Sequence, residues 1–255
     1  MPSAKRRLLI LGGTGEAATL ANEATAAFSD RLEVVTSLAG RTRRPAALRG
    51  KVVTGGFGGA DGLTRFLRRE TIDLVVDATH PFAATISAHA LKACAAAGVP
   101  RLILVRQPWR RTPADRWIEV EDAAEAAVAV ADLARRTFLT VGHRDLDAFS
   151  ELEGVWFLVR LIEPPDGPLP LERYELVVGR GPFAVKSEKR LMVEHRIEAL
   201  VTKASGGHAT EAKVVAAREA GLPVVMIHRP EAPPGEKVTS PAAALAWIGT
   251  RLETV

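Results

Sequence analysis

The chain has 255 residues, 47% of them hydrophobic and 25% charged, which suffices for one large α/β domain or two small ones and excludes wholesale disorder. Basic residues number 34 and acidic ones 30, so the net charge of +4 does not demand nucleic acid but suits an anionic ligand wherever the cations cluster. The single cysteine, Cys94, excludes an internal disulfide and a cysteine-rich zinc site, and makes a reducing cytoplasm the expected location.

The chain opens on Lys5-Arg6-Arg7 and an apolar run that Gly12-Gly13 and Glu16 interrupt, so neither an export signal nor a membrane span is expected. Short apolar runs then predict strands over 8–11, 32–36, 74–77, 102–105, 138–141, 155–159, 176–178, 200–202 and 224–227. Segments of helical period predict helices over 16–28, 62–69, 84–97, 123–135, 186–195, 211–220 and 241–252. Strands without polar alternation suit a parallel sheet covered on both faces, and their alternation with helices suits doubly wound α/β architecture.

The sequence also repeats. Ile72-Asp73-Leu74-Val75-Val76 leads through a loop and helix to Gly98-Val99-Pro100 and a strand. Ile197-Glu198-Ala199-Leu200-Val201 leads in the same way to Gly221-Leu222-Pro223 and a strand. Two Rossmann-like doubly wound domains with mainly parallel sheets follow, expected over residues 1–112 and 113–255, with the crossover around 109–116.

Gly13-x-Gly15-x-x-Ala18 stands between the first strand and the first helix. Gly13 permits a tight turn, Gly15 lets backbone N–H groups approach a pyrophosphate, and Ala18 allows close packing of helix on strand. Thr14 and Glu16 belong to the same turn and join the candidate cofactor contacts. The end of the second strand reads Thr36-Ser37 and then Arg41, Arg43 and Arg44, with no acid after Glu33. Hydroxyls followed by arginines suit a ribose 2′-phosphate, so the reading is NADP(H), with Ser37 and Arg41 as its first contacts. A solvated basic loop is the plain alternative.

Other strand ends carry further candidates. Gly55-Gly56-Phe57-Gly58-Gly59 suggests backbone close to a ligand, with Gly56 the cofactor candidate and Asp61 a helix cap. In Asp77-Ala78-Thr79-His80-Pro81, Thr79 or His80 suits a helix cap, Thr79 is also a cofactor candidate, and His80 is a candidate proton mover. Lys203-Ala204-Ser205-Gly206-Gly207 reads as an anion grip, and Arg180-Gly181-Pro182 as another basic turn. Arg101, Arg106, Arg110 and Arg111 surround Pro108-Trp109, a mix that suits a large planar polycarboxylate. Glu188, Glu194 and Glu211 are expected on exposed helix faces. The histidines show no metal-ligand spacing, and neither a serine-hydrolase elbow nor a P-loop is present.

The runs at 8–17, Gly55–Gly59, Asp77–Ala83, Leu158–Pro165, Arg180–Phe183 and Leu200–Gly207 together resemble the precorrin-6A reductase family. That resemblance implies a pair of Rossmann-like domains with the active cleft between them. It also implies NADPH-dependent reduction of one macrocycle double bond of precorrin-6A, giving precorrin-6B in cobalamin (vitamin B12) biosynthesis. The substrate is then a small polycarboxylate tetrapyrrole, without nucleic acid or membrane, and hand-over of intermediates to neighbouring pathway enzymes is expected. His80 or Lys203 is the candidate proton donor. Arg106, Arg180, Lys203, Ser205 and Gly206 are candidate substrate contacts, and no metal is expected. Where family members often carry Asn after Thr-Lys, this chain has Ala204. A nucleotide- or S-adenosylmethionine-dependent transferase and a non-catalytic NADP-sensing module are the competing readings of the same glycine turn.

Overall fold

The computed structural model describes residues 5–40 and 48–253. The chain forms two compact units, one of Met1–Arg106 with Pro230–Val255 and the other of Gln107–Arg229. The first begins with β1 (Arg6–Leu11), α1 (Gly15–Ala27), β2 (Leu32–Leu38), β3 (Lys51–Thr54), α2 (Gly59–Arg69), β4 (Leu74–Asp77), α3 (Ala84–Ala97) and β5 (Arg101–Leu104). The second contains β6 (Arg116–Val120), α4 (Ala123–Leu133), β7 (Arg136–Thr140), β8 (Trp156–Leu161), β9 (Tyr174–Val178), α5 (Val185–Glu194), β10 (Ala199–Lys203), α6 (Ala212–Glu219) and β11 (Pro223–Ile227). The chain then returns to the first unit as β12 (Glu236–Val238) and α7 (Pro241–Glu253).

Each unit is built on a six-stranded parallel sheet. The orders are β12-β5-β4-β1-β2-β3 and β6-β11-β10-β7-β8-β9. In β1 the uninterrupted Leu8-Leu9-Ile10-Leu11 run is buried on both faces. Leu8 and Ile10 join Leu20, Ala21, Ala24 and Ile248 in one layer, while Leu9 and Leu11 join Leu63, Leu67, Ala90 and Cys94 in the other. Burying each such side chain contributes about 1.5–3 kcal/mol, which is why this strand lies near the sheet centre.

The two sheets have the same order once β12 is matched with β6, and the repeated strands β4 and β5 then occupy the positions of β10 and β11. The two copies differ in where the edge strand comes from. The second unit begins with β6 and its helix α4, whereas the first obtains the corresponding β12 and α7 from the end of the chain.

That difference corrects the expected division at 112/113. β12 pairs with β5, Trp247 Nε1 donates to Glu236 at 2.9 Å, and Ala244 and Ile248 of α7 join Leu20 and Ala24 of α1 in one core layer, so 230–253 belongs with the first unit. Neither β6 nor β12 was expected as a strand. Each pairs on one side only, and Arg116, Ile118, Glu119, Glu236 and Lys237 are exposed, so neither shows an apolar run.

Candidate functional site

The glycine turn connects β1 to α1. Gly13 has φ +108°, a conformation that favours glycine, and Gly12 N–H donates to Ser37 O at 2.9 Å. Thr14 is the N-cap of α1. Its Oγ1 accepts from Ala17 N at 3.1 Å and donates to Ala78 O at 2.8 Å, fixing the turn to the end of β4. A Cβ built on Gly13 or Gly15 meets nothing within 4 Å, so packing does not require these glycines. The N–H groups of Gly15 and Glu16 precede the first intrahelical hydrogen bond and are the backbone donors that could hold a pyrophosphate.

Around this turn the first unit gathers most of the expected cofactor contacts. Ser37 is buried at the end of β2, next in the sheet to Leu11. Arg41, Arg43 and Arg44 lie outside the described residues. Lys51 is directed elsewhere, pairing with Glu70 at 3.3 Å. Gly56 has open space where a side chain would stand, and Gly58, at φ +76°, is the N-cap of α2. Asp61 therefore lies inside that helix's first turn and is not its cap.

The loop after β4 is held from beneath. Asp77 is 2% exposed, and its Oδ1 accepts from Thr79 N at 3.2 Å and Thr79 Oγ1 at 2.7 Å. Thr79 Oγ1 also meets Ser87 Oγ at 3.2 Å. His80 Nδ1 accepts from Phe82 N at 3.2 Å, which leaves the proton of a neutral ring on Nε2. Helix α3 starts only at Ala84, with no side-chain cap at Ala83, so Thr79 and His80 do not cap it. Thr79 instead closes a turn on Asp77.

Arg106, two residues beyond β5, donates to Glu16 Oε2 at 2.7 Å. An expected substrate contact and an expected cofactor contact thus stand together at the glycine turn. Arg101 donates to Pro234 O in the first unit, whereas Arg111, in the second, pairs with Glu119 at 3.5 Å and lies over Trp117. Trp109 is 9% exposed and packs into the core of the second unit, so its ring is not the free stacking face expected.

In the second unit, Lys203 ends β10 and pairs with Asp145 Oδ2 at 2.6 Å. Ser205 and Gly206 are buried beside it. Gly206, at φ +65°, is pressed against the Gln107 carbonyl, where a Cβ has no room. Arg180 is exposed two residues past β9. Glu188 departs from its expected exposed place: its side chain is 2% exposed and pairs with Arg160. In the segment equivalent to the glycine turn, the chain reads Val141-Gly142-His143-Arg144 and folds into a 3-10 turn over His143–Phe149. The glycine turn leading into a capped helix therefore occurs in one of the two copies.

Asp77, Asp145, Arg160 and Glu188 were not singled out as site residues by sequence. Asp77 was visible as a charge ending an apolar run, and the others are isolated charges whose partners lie on distant segments. Among the described residues, no three potential metal ligands gather, and no helix is long and apolar enough to cross a membrane.

A doubly wound unit whose first strand enters a Gly-x-Gly turn and a capped helix defines a protein of the Rossmann-like α/β class. The model of the family described as "Precorrin-6x reductase CbiJ/CobK" matches residues 7–249, and the chain belongs to that family. A precorrin-6A reductase of Rhodococcus erythropolis is 50% identical over 247 residues, covering 96% of this chain and 98% of its own. One from Mycobacterium tuberculosis (strain CDC 1551 / Oshkosh) is 46% identical over 243 residues, covering 95% and 97%. The solved structure titled "CobK precorrin-6A reductase" superposes with a TM-score of 0.89 at 42% identity, covering 96% of each chain.

Proposed function

We propose that this chain reduces precorrin-6A to precorrin-6B with NADPH, adding a hydride and a proton across one double bond of the macrocycle, in the cytoplasmic synthesis of cobalamin. Family membership supports the reaction. The observation that carries the cofactor reading is the open turn at Gly13 and Gly15, where a side chain would contact nothing of the protein.

Bound NADPH supplies the hydride, and the chain's own residues hold and orient the reactants. The N–H groups of Gly15 and Glu16 and the dipole of α1 hold the pyrophosphate, with Gly13 and Thr14 shaping the turn. Ser37 and Arg41 take the ribose and its 2′-phosphate, and Gly56 and Thr79 border the rest of the dinucleotide. Arg106 is assigned to the cofactor side through its pair with Glu16. Arg180, Lys203, Ser205 and Gly206 hold acetate and propionate arms. The proton comes from His80 or from the Lys203 ammonium, whose Nζ pairs with Asp145 Oδ2.

Anaerobic incubation with precorrin-6A and NADPH tests the reading, by following the macrocycle spectrum and nicotinamide loss together. Equimolar changes support it. NADPH binding without turnover favours a sensing module, and binding of S-adenosylmethionine in place of NADPH favours a transferase. His80→Gln and Lys203→Met, compared at equal occupancy, separate the two proton donors.

A further inference from the structure

The second unit buries more positive than negative charge at the carboxyl edge of its sheet. Arg160, near the end of β8, donates through both terminal nitrogens to Glu188 at 2.9 and 2.8 Å, with side-chain exposures of 9% and 2%. Its guanidinium lies over the rings of Phe138 at 4.8 Å and Phe183 at 4.1 Å. Both carboxylate oxygens of Glu188 are thereby engaged. Lys213, in the first turn of α6, is 7% exposed, and its Nζ lies 5.9 Å from the centre of the Trp109 ring. Trp109 Nε1 in turn donates to Gly207 O at 2.9 Å, tying this indole to the loop between β10 and α6.

Among the described residues, no carboxylate stands at ion-pair distance from Lys213 Nζ and no acceptor at hydrogen-bond distance. The charged groups facing it are Arg160 from β8 and Glu188 from α5. Lys203 flanks the same loop but has Asp145 at 2.6 Å. The loop therefore has two lysines, one neutralised within the protein and one lacking a counter-ion. A desolvated ammonium without an anion costs several kcal/mol, of which an aromatic face returns only about 2 kcal/mol. A ligand carboxylate at this position offsets the remainder.

We propose that Lys213 is the counter-ion for a carboxylate arm of the bound tetrapyrrole, received at the Ser205–Gly207 loop. This rests on the substrate assigned above and adds a binding residue to it. Burial pushes the Lys213 ammonium down to about 7, chiefly by desolvation, with Arg160 acting in the same direction and Glu188 opposing. At pH 8 the free protein holds the amine largely neutral, so a docking carboxylate draws a proton onto it.

The test is calorimetric titration of precorrin-6A into the NADP⁺-loaded protein at pH 8, in two buffers of different ionisation enthalpy, for wild type and Lys213→Met. The expected wild-type result is uptake approaching one proton, absent in Lys213→Met. The variant's KM for precorrin-6A rises at least tenfold, with a smaller change in kcat. The substitution removes an unpaired charge, and a thermal midpoint at or above wild type verifies folding. Equal proton uptake and equal KM in the two proteins overturn the proposal while leaving the reductase reading intact. Uptake of that proton on NADPH binding alone moves the anion to a cofactor phosphate and also overturns it. A wild-type protein that binds NADPH yet leaves precorrin-6A unreduced removes both readings together.

Discussion

Arg106 and Glu16 form a 2.7 Å ion pair beside the glycine turn, joining the end of β5 to the first turn of α1. Glu16 suits the positive end of the helix dipole, but its carboxylate also stands where a pyrophosphate is proposed to bind. Arg106, with only 10% of its side chain exposed, cancels that charge. Arg106→Met exposes a phosphate to an unneutralised carboxylate and should weaken NADPH binding about tenfold, close to 1.4 kcal/mol. Arg106→Met combined with Glu16→Gln should recover most of the loss. Fluorescence titration of the two single variants and the double variant reads the coupling, and additive effects would refute it.

Gly15→Ala separates ligand geometry from packing. The added methyl meets no protein atom within 4 Å, and alanine is the better helix former by about 1 kcal/mol. The thermal midpoint should stay level or rise, while NADPH affinity falls at least tenfold because the methyl enters the proposed pyrophosphate space. Unchanged affinity would place the dinucleotide elsewhere.

Much of this arrangement was legible in the sequence because its signals are local. The Leu8–Leu11 run, the spacing of Gly13 and Gly15, and the Ile72 and Ile197 repeats each lie within one short segment, and each marks a buried strand or strand-end turn in the sheet. What sequence did not show depends on long-range partners. The C-terminal β12 and α7 belong with β5 and α1 across an intervening unit, and three-residue β12 is too polar to announce itself. Glu188 falls among charged neighbours on α5, so only the position of Arg160 reveals it as buried. Trp109 resembled a stacking surface because nothing local indicated that the Gly207 carbonyl would hold its indole.

Removing Glu188 tests how much the second unit depends on the Arg160 pair. Glu188→Gln keeps the shape but leaves the buried Arg160 guanidinium without its carboxylate. The expected cost is about 3 kcal/mol, the lower end for breaking a buried ion pair. Trp109, Trp117 and Trp156 all lie in this unit, so denaturant unfolding followed by tryptophan fluorescence reports it directly. A loss below about 0.5 kcal/mol would match an exposed pair.

Cys94 should behave as an inert core residue. It is 3% exposed between α2 and the sheet, and burial raises its thiol to about 11, with nearby Arg101 opposing and Asp77 reinforcing the rise. The thiolate is the reactive form, so alkylation at pH 8 should be negligible in the folded protein and rapid in denaturant. Stoichiometric labelling under native conditions would contradict this burial.

Lys213 gives the stability of the free protein a definite pH dependence. Its folded value of about 7 lies below the ordinary 10.5, so between these pH values the unfolded chain binds the proton and the folded chain releases it. Stability therefore rises as pH increases through this window, and the full penalty applies below about 7. Lys213→Met removes the penalty. The variant should exceed wild type by about 1–4 kcal/mol near pH 6.5, and the gap should narrow steadily toward pH 10. Paired chemical denaturation across that range measures the slope, and a gap independent of pH would show that Lys213 keeps its proton throughout.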